Sequence, residues 1–233
     1  MAKQATDDLD LASLSANWKP QDGSIDYSEN YQYDKALDAN GDVSCVSSAF
    51  GDKISASRPY KYCGSDLGTA LAAIQLGSVQ NNWHIDSIAV DTGLQVPVIT
   101  FSYHKHTANN HADGSEIEYT LPADMVTILD AISGKKGSAD FFKNASSTIG
   151  LSSSNFTFSC EHEDVVDGDG DQLAGANSTG LIEATETYVN GQPITLGGTA
   201  NAAWYITSPS TSDGNTQHDG SSITAQRDVV QDA

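Results

Sequence analysis

Asn155-Phe156-Thr157-Phe158-Ser159-Cys160 alternates apolar with polar side chains, and Leu181-Ile182-Glu183-Ala184-Thr185-Glu186-Thr187-Tyr188 resumes the alternation after a glycine- and aspartate-rich break from Asp164 to Gly175. A period of two is that of a strand with one face buried, and two such runs across a turn-forming break read as an antiparallel hairpin. Phe156 and Phe158 share one parity of the first strand; Ile182, Ala184 and Tyr188 share one parity of the second. A chain that places its largest apolar residues this way builds its core from sheet faces.

Composition supports that reading. The 233 residues carry 11 Lys and Arg against 31 Asp and Glu, a formal net charge of −20. Such a balance opposes any binding mode that neutralises nucleic-acid phosphates or docks on an anionic membrane. Gly, Ser, Thr, Asn and Asp abound, which suits strands and turns and disfavours long helices. No apolar run approaches the length of a membrane span. Met1 to Trp18 lacks the apolar core of a secretory leader, with Asp7, Asp8 and Asp10 in its place, so secretion is not expected. Three widely spaced cysteines, Cys45, Cys63 and Cys160, make a disulfide framework improbable, although Cys45 with Cys63 could pair.

Working outward from the hairpin, Ser24 to Tyr33 alternates with Ile25, Tyr27, Tyr31 and Tyr33 on one parity, and Asp38-Ala39-Asn40-Gly41-Asp42 is a tight-turn signal before a return strand from Val43 to Val46. Residues 1–23, anchored by Leu9, Leu11, Leu14 and Trp18, read as an arm or a short helix that packs late and could do so on a neighbouring subunit, leaving 24–233 as one domain. Between Ser65 and Gly77 the period turns helical through Leu67, Ala70, Leu71 and Ile74, with Ser65 as cap; a second helix is expected over Pro122 to Ile132 on Met125, Ile128, Leu129 and Ile132, closed by Gly134. Trp83 to Val90, Val96 to His106 and Ser115 to Leu121 read as strands, with Pro97 marking an edge or a bulge. Lys135 to Ser154 reads as a linker around Phe141-Phe142, Ser208 to Gly220 as a long loop, and Ser221 to Val230 as a last strand. The fold class expected is mainly β, a β-sandwich or partly closed barrel with one or two short flanking helices.

Candidate chemistry is sparse. Asp167, Asp169 and Asp171 alternate like calcium-loop ligands, but Gln172 stands where that loop needs glycine and Ser178 where it needs glutamate; Asp38, Asn40 and Asp42 fail the same pattern at Val43. His104 and His106 share a strand face, and His111 could fold back to complete a three-nitrogen site for zinc or iron. Against it, no carboxylate is fixed as an outer partner, so surface or interfacial histidines are preferred and no metal, cofactor or catalytic residue is assigned. Cys160 and His162 lie on one strand face without a third orienting group, and Glu161, Glu163 and Asp164 read as an exposed acidic strand end before a carboxylate dyad. The sequons at Asn144, Asn155 and Asn177 are taken as accidents of composition. These features give no grounds for expecting an enzyme.

The tyrosine-rich strand Ile25 to Tyr33 running into Asp38-Ala39-Asn40-Gly41-Asp42, the segment Trp83 to Ser87, the hairpin from Phe156 to Gly175 and the closing region Trp204 to Thr224 together resemble virion structural proteins of bacteriophages, the tail-tube type in particular. The resemblance is one of layout over most of the chain. It implies a β-sandwich or partly closed barrel that self-associates into a hexameric or trimeric ring and stacks into a tube. Other virion proteins would be its partners, DNA would pass only as cargo, no membrane would be involved, and the virion assembled in the host cytoplasm would be its location. A receptor- or glycan-binding or decoration protein of the virion is the alternative.

Overall fold

In the computed structural model the described residues are 16–21, 26–32, 35–46, 50–80, 83–93, 96–106, 117–133, 138–142, 150–166, 172–189, 204–211 and 220–229. The fold is mainly β: a large antiparallel sheet that is not closed, with two short helices, of β-sandwich-like kind. Its strands are β1 (Trp18–Pro20), β2 (Asp26–Gln32), β5 (Phe50–Tyr62), β6 (Val79–Gln80), β7 (Trp83–Asp91), β8 (Val98–His106), β9 (Gly150–Val166), β10 (Gln172–Val189), β11 (Tyr205–Thr211) and β12 (Gly220–Val229). The order is β1-β5-β8-β7-β9-β10-β12-β11, with β2 beside β1 on the free side of β5 and β6 beside β9 on β7. A separate two-stranded sheet joins β3 (Lys35–Leu37) to β4 (Val43–Val46).

The period of two explains the core directly. Tyr60, Ile99, Val90, Phe156, Ala184, Ala225 and Ile206 stand opposite one another in sequence across seven strands, from β5 to β11. The next row places Phe101, Ile88, Phe158 and Ile182 in register, all four buried. Such rows are the unit of sheet stabilisation, and each fully buried large side chain contributes roughly 1.5–3 kcal/mol relative to exposure. Helix α1 (Leu67–Ala72) and helix α2 (Ala123–Ile132) add Leu67, Leu71, Met125 and Leu129 to this same core. The helices are tied together by Asp130, which accepts from Thr69 N–H at 3.1 Å and Thr69 Oγ1 at 2.8 Å, and α2 is tied to β12 by Arg227 and Asp124 at 2.6 Å.

Several expectations hold in place and type. The hairpin forms as β9 and β10, with Ile182 opposite Phe158 and Ala184 opposite Phe156. Strand pairing consumes most of the break as well, since β9 runs to Val166 and β10 begins at Gln172. Phe101, Phe156, Phe158, Ile182 and Trp204 are buried; the side chains of Ile25, Tyr27 and Tyr31 lie outside the described residues. The Asp38–Asp42 turn forms, with Gly41 at φ +85° and the Asp38 carboxylate accepting from Asn40 N–H at 2.8 Å and Asp42 N–H at 3.0 Å. The second helix occupies nearly the expected span, and β12 is the last strand.

Other expectations are corrected. Trp18 is no intersubunit anchor: it is a β1 residue of its own chain's core, with ring centroids 4.8 Å from Tyr62 and 5.7 Å from Phe101. Leu9, Leu11 and Leu14 lie outside the described residues. Val43–Val46 does form the return strand of the Asp38–Asp42 turn, paired with β3, but the strand that pairs with the tyrosine-rich one, β5, went unread. β5 tolerates Pro59 because this residue falls between the stretch paired with β2, which ends at Ser57, and the stretch paired with β1, which begins at Tyr60. Pro97 does not mark an edge, since it precedes β8, which lies between β5 and β7. Of the expected strand Ser115 to Leu121, the described residues 117–121 form a single isolated bridge, Tyr119 to Leu76. Helix α1 starts after Asp66, not Ser65, and the Tyr62 hydroxyl donates to the Asp66 carboxylate. It ends at Ala72, ahead of Gly77. Phe141 and Phe142 are core residues, against Phe156 and Trp204, and Ser208–Thr211 belongs to β11. Cys63 carries a free, exposed thiol and so makes no bridge to Cys45.

Candidate metal centre

Three adjacent strands deliver three imidazoles to one place. His84 on β7 stands opposite His104 on β8 in the ladder, and His162 on β9 closes the group. Ring centroids are 4.7 Å apart for His84 and His104, 4.3 Å for His84 and His162, and 4.7 Å for His104 and His162. One ring nitrogen from each lies within 4.8 Å of the other two. His84 and His104 are fully buried, while His162 is half-buried.

A bulge explains the arrangement. On β7 the register passes from Ile85 opposite Tyr103 to Ser87 opposite Ser102, so Asp86 is an extra residue in that strand. Bulges re-aim side chains next to sites. Here the Asp86 carboxylate turns to both buried rings, with its Oδ1 at 3.1 Å from His84 Nδ1 and 2.5 Å from His104 Nδ1. Burial pushes the Asp86 carboxyl up, but the hydrogen bonds from His104 and then His84 outweigh it and hold the group down at about 2. Asp86 is therefore a carboxylate at neutral pH and can only accept, which puts a proton on Nδ1 of both rings.

The third ring is fixed by an amide. Asn177 on β10, opposite His162 and nearly fully buried, donates from Nδ2 to the Ile117 carbonyl at 2.8 Å and to the Gly77 carbonyl at 3.4 Å. Its Oδ1 is thereby committed as the acceptor at 2.9 Å from His162 Nδ1, which places the proton there too. Gly77 makes this possible: at φ +84°, a Cβ on it would stand 2.4 Å from Asn177 Nδ2 and 2.8 Å from the Ile117 carbonyl oxygen. With all three Nδ1 atoms donating, each neutral ring keeps its lone pair on Nε2.

The sequence reading included one member of this group and missed the partnership. His104 is in it; His111 and the side chain of His106 lie outside the described residues. Lys105, next to His104 in β8, points away from it, with Nζ 4.5 Å from the centre of the Trp83 ring. Cys160 and His162 are on one strand, but Cys160 is buried with Sγ 3.9 Å from the Ile85 carbonyl and 3.8 Å from that of Asp86, a packing position. Glu161 and Glu163 are exposed, and Asp167, Asp169 and Asp171 lie outside the described residues. Asn177 is buried and serves His162, whereas Asn155 is exposed on β9. The missed signal was His84-Ile85-Asp86, a histidine and a carboxylate two apart in a strand whose Trp83, Ile85, Ile88 and Val90 are apolar and buried.

Beside Asp86 a cleft of about 300 Å³ opens, lined by Ser28, Ser55, Ser57, Ser102 and Tyr103. Chemically the centre can share protons through the Asp86 carboxylate or bind an electrophile through convergent imidazole nitrogens. Compared with known proteins, the chain matches no protein-family model and no curated protein, so the reading of this centre rests on its own geometry.

Proposed function

We propose that the chain is a non-enzymatic structural subunit of a bacteriophage virion, of the tail-tube type, that self-assembles into stacked rings around an acid-lined DNA conduit. The observation that carries this reading is the open sheet. β11 ends the strand order on one side and β1 and β2 end it on the other, so backbone donors and acceptors at both ends can pair with another copy. β11 presents Tyr205, 67 % exposed, and the long hairpin presents Val165, 54 % exposed, which are apolar surfaces of the kind subunit contacts bury. A net charge of −20 fits a conduit, because carboxylates give a passing duplex no phosphate contacts to hold it.

Copies this acidic repel one another, so assembly must rest on apolar burial and backbone pairing and must strengthen as salt screens the repulsion. Light scattering coupled to size exclusion, with negative-stain imaging, is expected to show rings or tubes that increase with ionic strength. Tyr205→Lys, which adds a charge to an edge strand, should reduce them. A monomer at high concentration and high salt would refute the proposal and favour the receptor- or glycan-binding alternative.

A further inference from the structure

We propose that His84, His104 and His162 bind one divalent transition-metal ion of the zinc type through their Nε2 atoms, with Asp86 and Asn177 holding the rings from behind. The donor set fits. Three imidazoles with a fourth position open to water or a small anion is an established zinc ligand count, and imidazole suits zinc, copper, iron and nickel over calcium or magnesium. The spacing fits as well. Zn–N bonds of 2.0–2.1 Å at tetrahedral angles set the nitrogens about 3.3 Å apart, and the rings already stand close enough to bring one nitrogen of each within 4.8 Å of the others, so modest ring shifts of about 1 Å reach that spacing.

The outer hydrogen bonds carry the inference beyond a count of histidines. A ligating histidine almost always donates its other N–H to a carboxylate or carbonyl oxygen, which fixes the tautomer and strengthens the ligand. Here every ring does so, two to Asp86 and one to Asn177. The rival is a metal-free network in which one ring is an imidazolium paired with Asp86. That arrangement accounts for His84, His104 and Asp86 but not for His162, whose tautomer Asn177 fixes and whose ring sits 4.3 and 4.7 Å from the other two. A bound dication uses all five residues. Asp86 offsets part of its charge and also lines the serine-rich cleft, while the half-buried His162 is the ligand nearest to solvent. Bound there, the ion would pin β7, β8 and β9 together in the middle of the sheet.

The test uses the full-length protein, stripped with a chelator and titrated with Zn²⁺ by calorimetry and with Co²⁺ by visible spectroscopy. One equivalent of zinc should bind, Co²⁺ should give the intense bands of a tetrahedral site, and the melting temperature should rise with zinc but not with magnesium. His162→Gln changes a half-buried ring and should lose the binding while keeping the β-sheet circular dichroism. Asp86→Asn should weaken zinc binding about 10- to 100-fold. X-ray absorption on the zinc-loaded wild type, which needs no variant to fold, should count three imidazole ligands. The proposal is overturned by a folded protein that takes up no stoichiometric zinc, by fewer than three imidazoles, or by binding that His162→Gln and Asp86→Asn leave unchanged, which would move the ion to other histidines or the acidic surface.

Discussion

Glu186 is a carboxyl on the apolar parity of β10, and replacing it by glutamine should alter how stability depends on pH. It is fully buried and holds the Phe141-Phe142 segment onto the sheet by accepting from both backbone N–H groups, with Phe142 at 3.0 Å, and from the Tyr188 hydroxyl. Burial pushes its carboxyl up from the ordinary 4.5 to about 7; the nearby Asp140 carboxylate adds to the rise, and the hydrogen bonds from Tyr188, Phe142 and Phe141 limit it. An acid whose folded value is raised keeps its proton in the native state while the unfolded chain loses it, so the native state weakens as pH climbs between the two values. With about 1.36 kcal/mol per pKa unit, the loss between pH 4.5 and 7 comes to roughly 3 kcal/mol. Glu186→Gln retains a carbonyl oxygen for the two N–H groups and removes the ionisation. Urea unfolding of both proteins at half-unit steps from pH 4.5 to 8 should show the variant equal to or slightly less stable than wild type at the acid end, and more stable by about 2–3 kcal/mol at pH 8. Groups common to both proteins cancel in the difference. Asp86 acts in another window, because its lowered value contributes stability that is present above about 3.8 and lost as pH falls toward about 2. A difference between the two proteins that stays flat across the range would refute the reasoning.

Two further outcomes follow from the geometry. Gly77→Ala should cost at least about 1–2 kcal/mol from the left-handed backbone alone, and more once its Cβ displaces Asn177; a neutral result in chemical unfolding would show that the Gly77–Asn177 approach is not needed. Phe158→Ala, which empties a buried position between Ile88 and Ile182, should cost about 3–5 kcal/mol, while the neighbouring Ser159→Ala, on the other parity, should stay within about 0.5 kcal/mol, and equal costs would contradict the assigned faces.

The hairpin was legible because Phe156, Phe158, Ile182 and Ala184 repeat at the period of a strand, and pairing between consecutive strands follows from proximity in the chain. β5 was not legible. Its apolar parity, Ile54, Ala56, Tyr60 and Tyr62, is broken by Arg58 and followed by Pro59, and the reason proline is allowed there is a handover between β1 and β2 that no local pattern contains. Trp18 was misassigned for a related reason. Three residues of strand carry too little periodicity to announce themselves, yet pairing with Tyr60–Tyr62 places the indole against Tyr62 and Phe101. Glu186 broke the parity rule outright: a carboxyl at a core position reads as an interruption until the two N–H groups that occupy it are known.

The histidine centre shows why a site can be invisible while its strands are plain. Grouping His104 with His106 and His111 used nearness in the chain, but a sheet brings together residues on different strands, and β7, β8 and β9 are neighbours only through the tertiary order. Even a correct strand order would not have sufficed. Strict alternation along β7 puts His84 and Asp86 on one face and leaves the position of Asp86 opposite Ser102 to be guessed. The bulge inserts Asp86 as an additional residue, so that Ser87 takes the place opposite Ser102 and the carboxylate is free to turn between two rings. Bulges add a residue without changing the composition of the strand, so the hydrophobic pattern on either side survives and hides them. The Asn177 contact likewise stems from a register shift in β10 between Asn177 and Gly180, together with the positive φ of Gly77 on the far side of the amide. Two local irregularities thus supply the outer acceptors for all three imidazoles. Without the β7 bulge, the register that pairs Ser87 with Ser102 would continue to set His84 opposite Lys105 and on the other face from His104, so the meeting of these two rings itself depends on the extra residue.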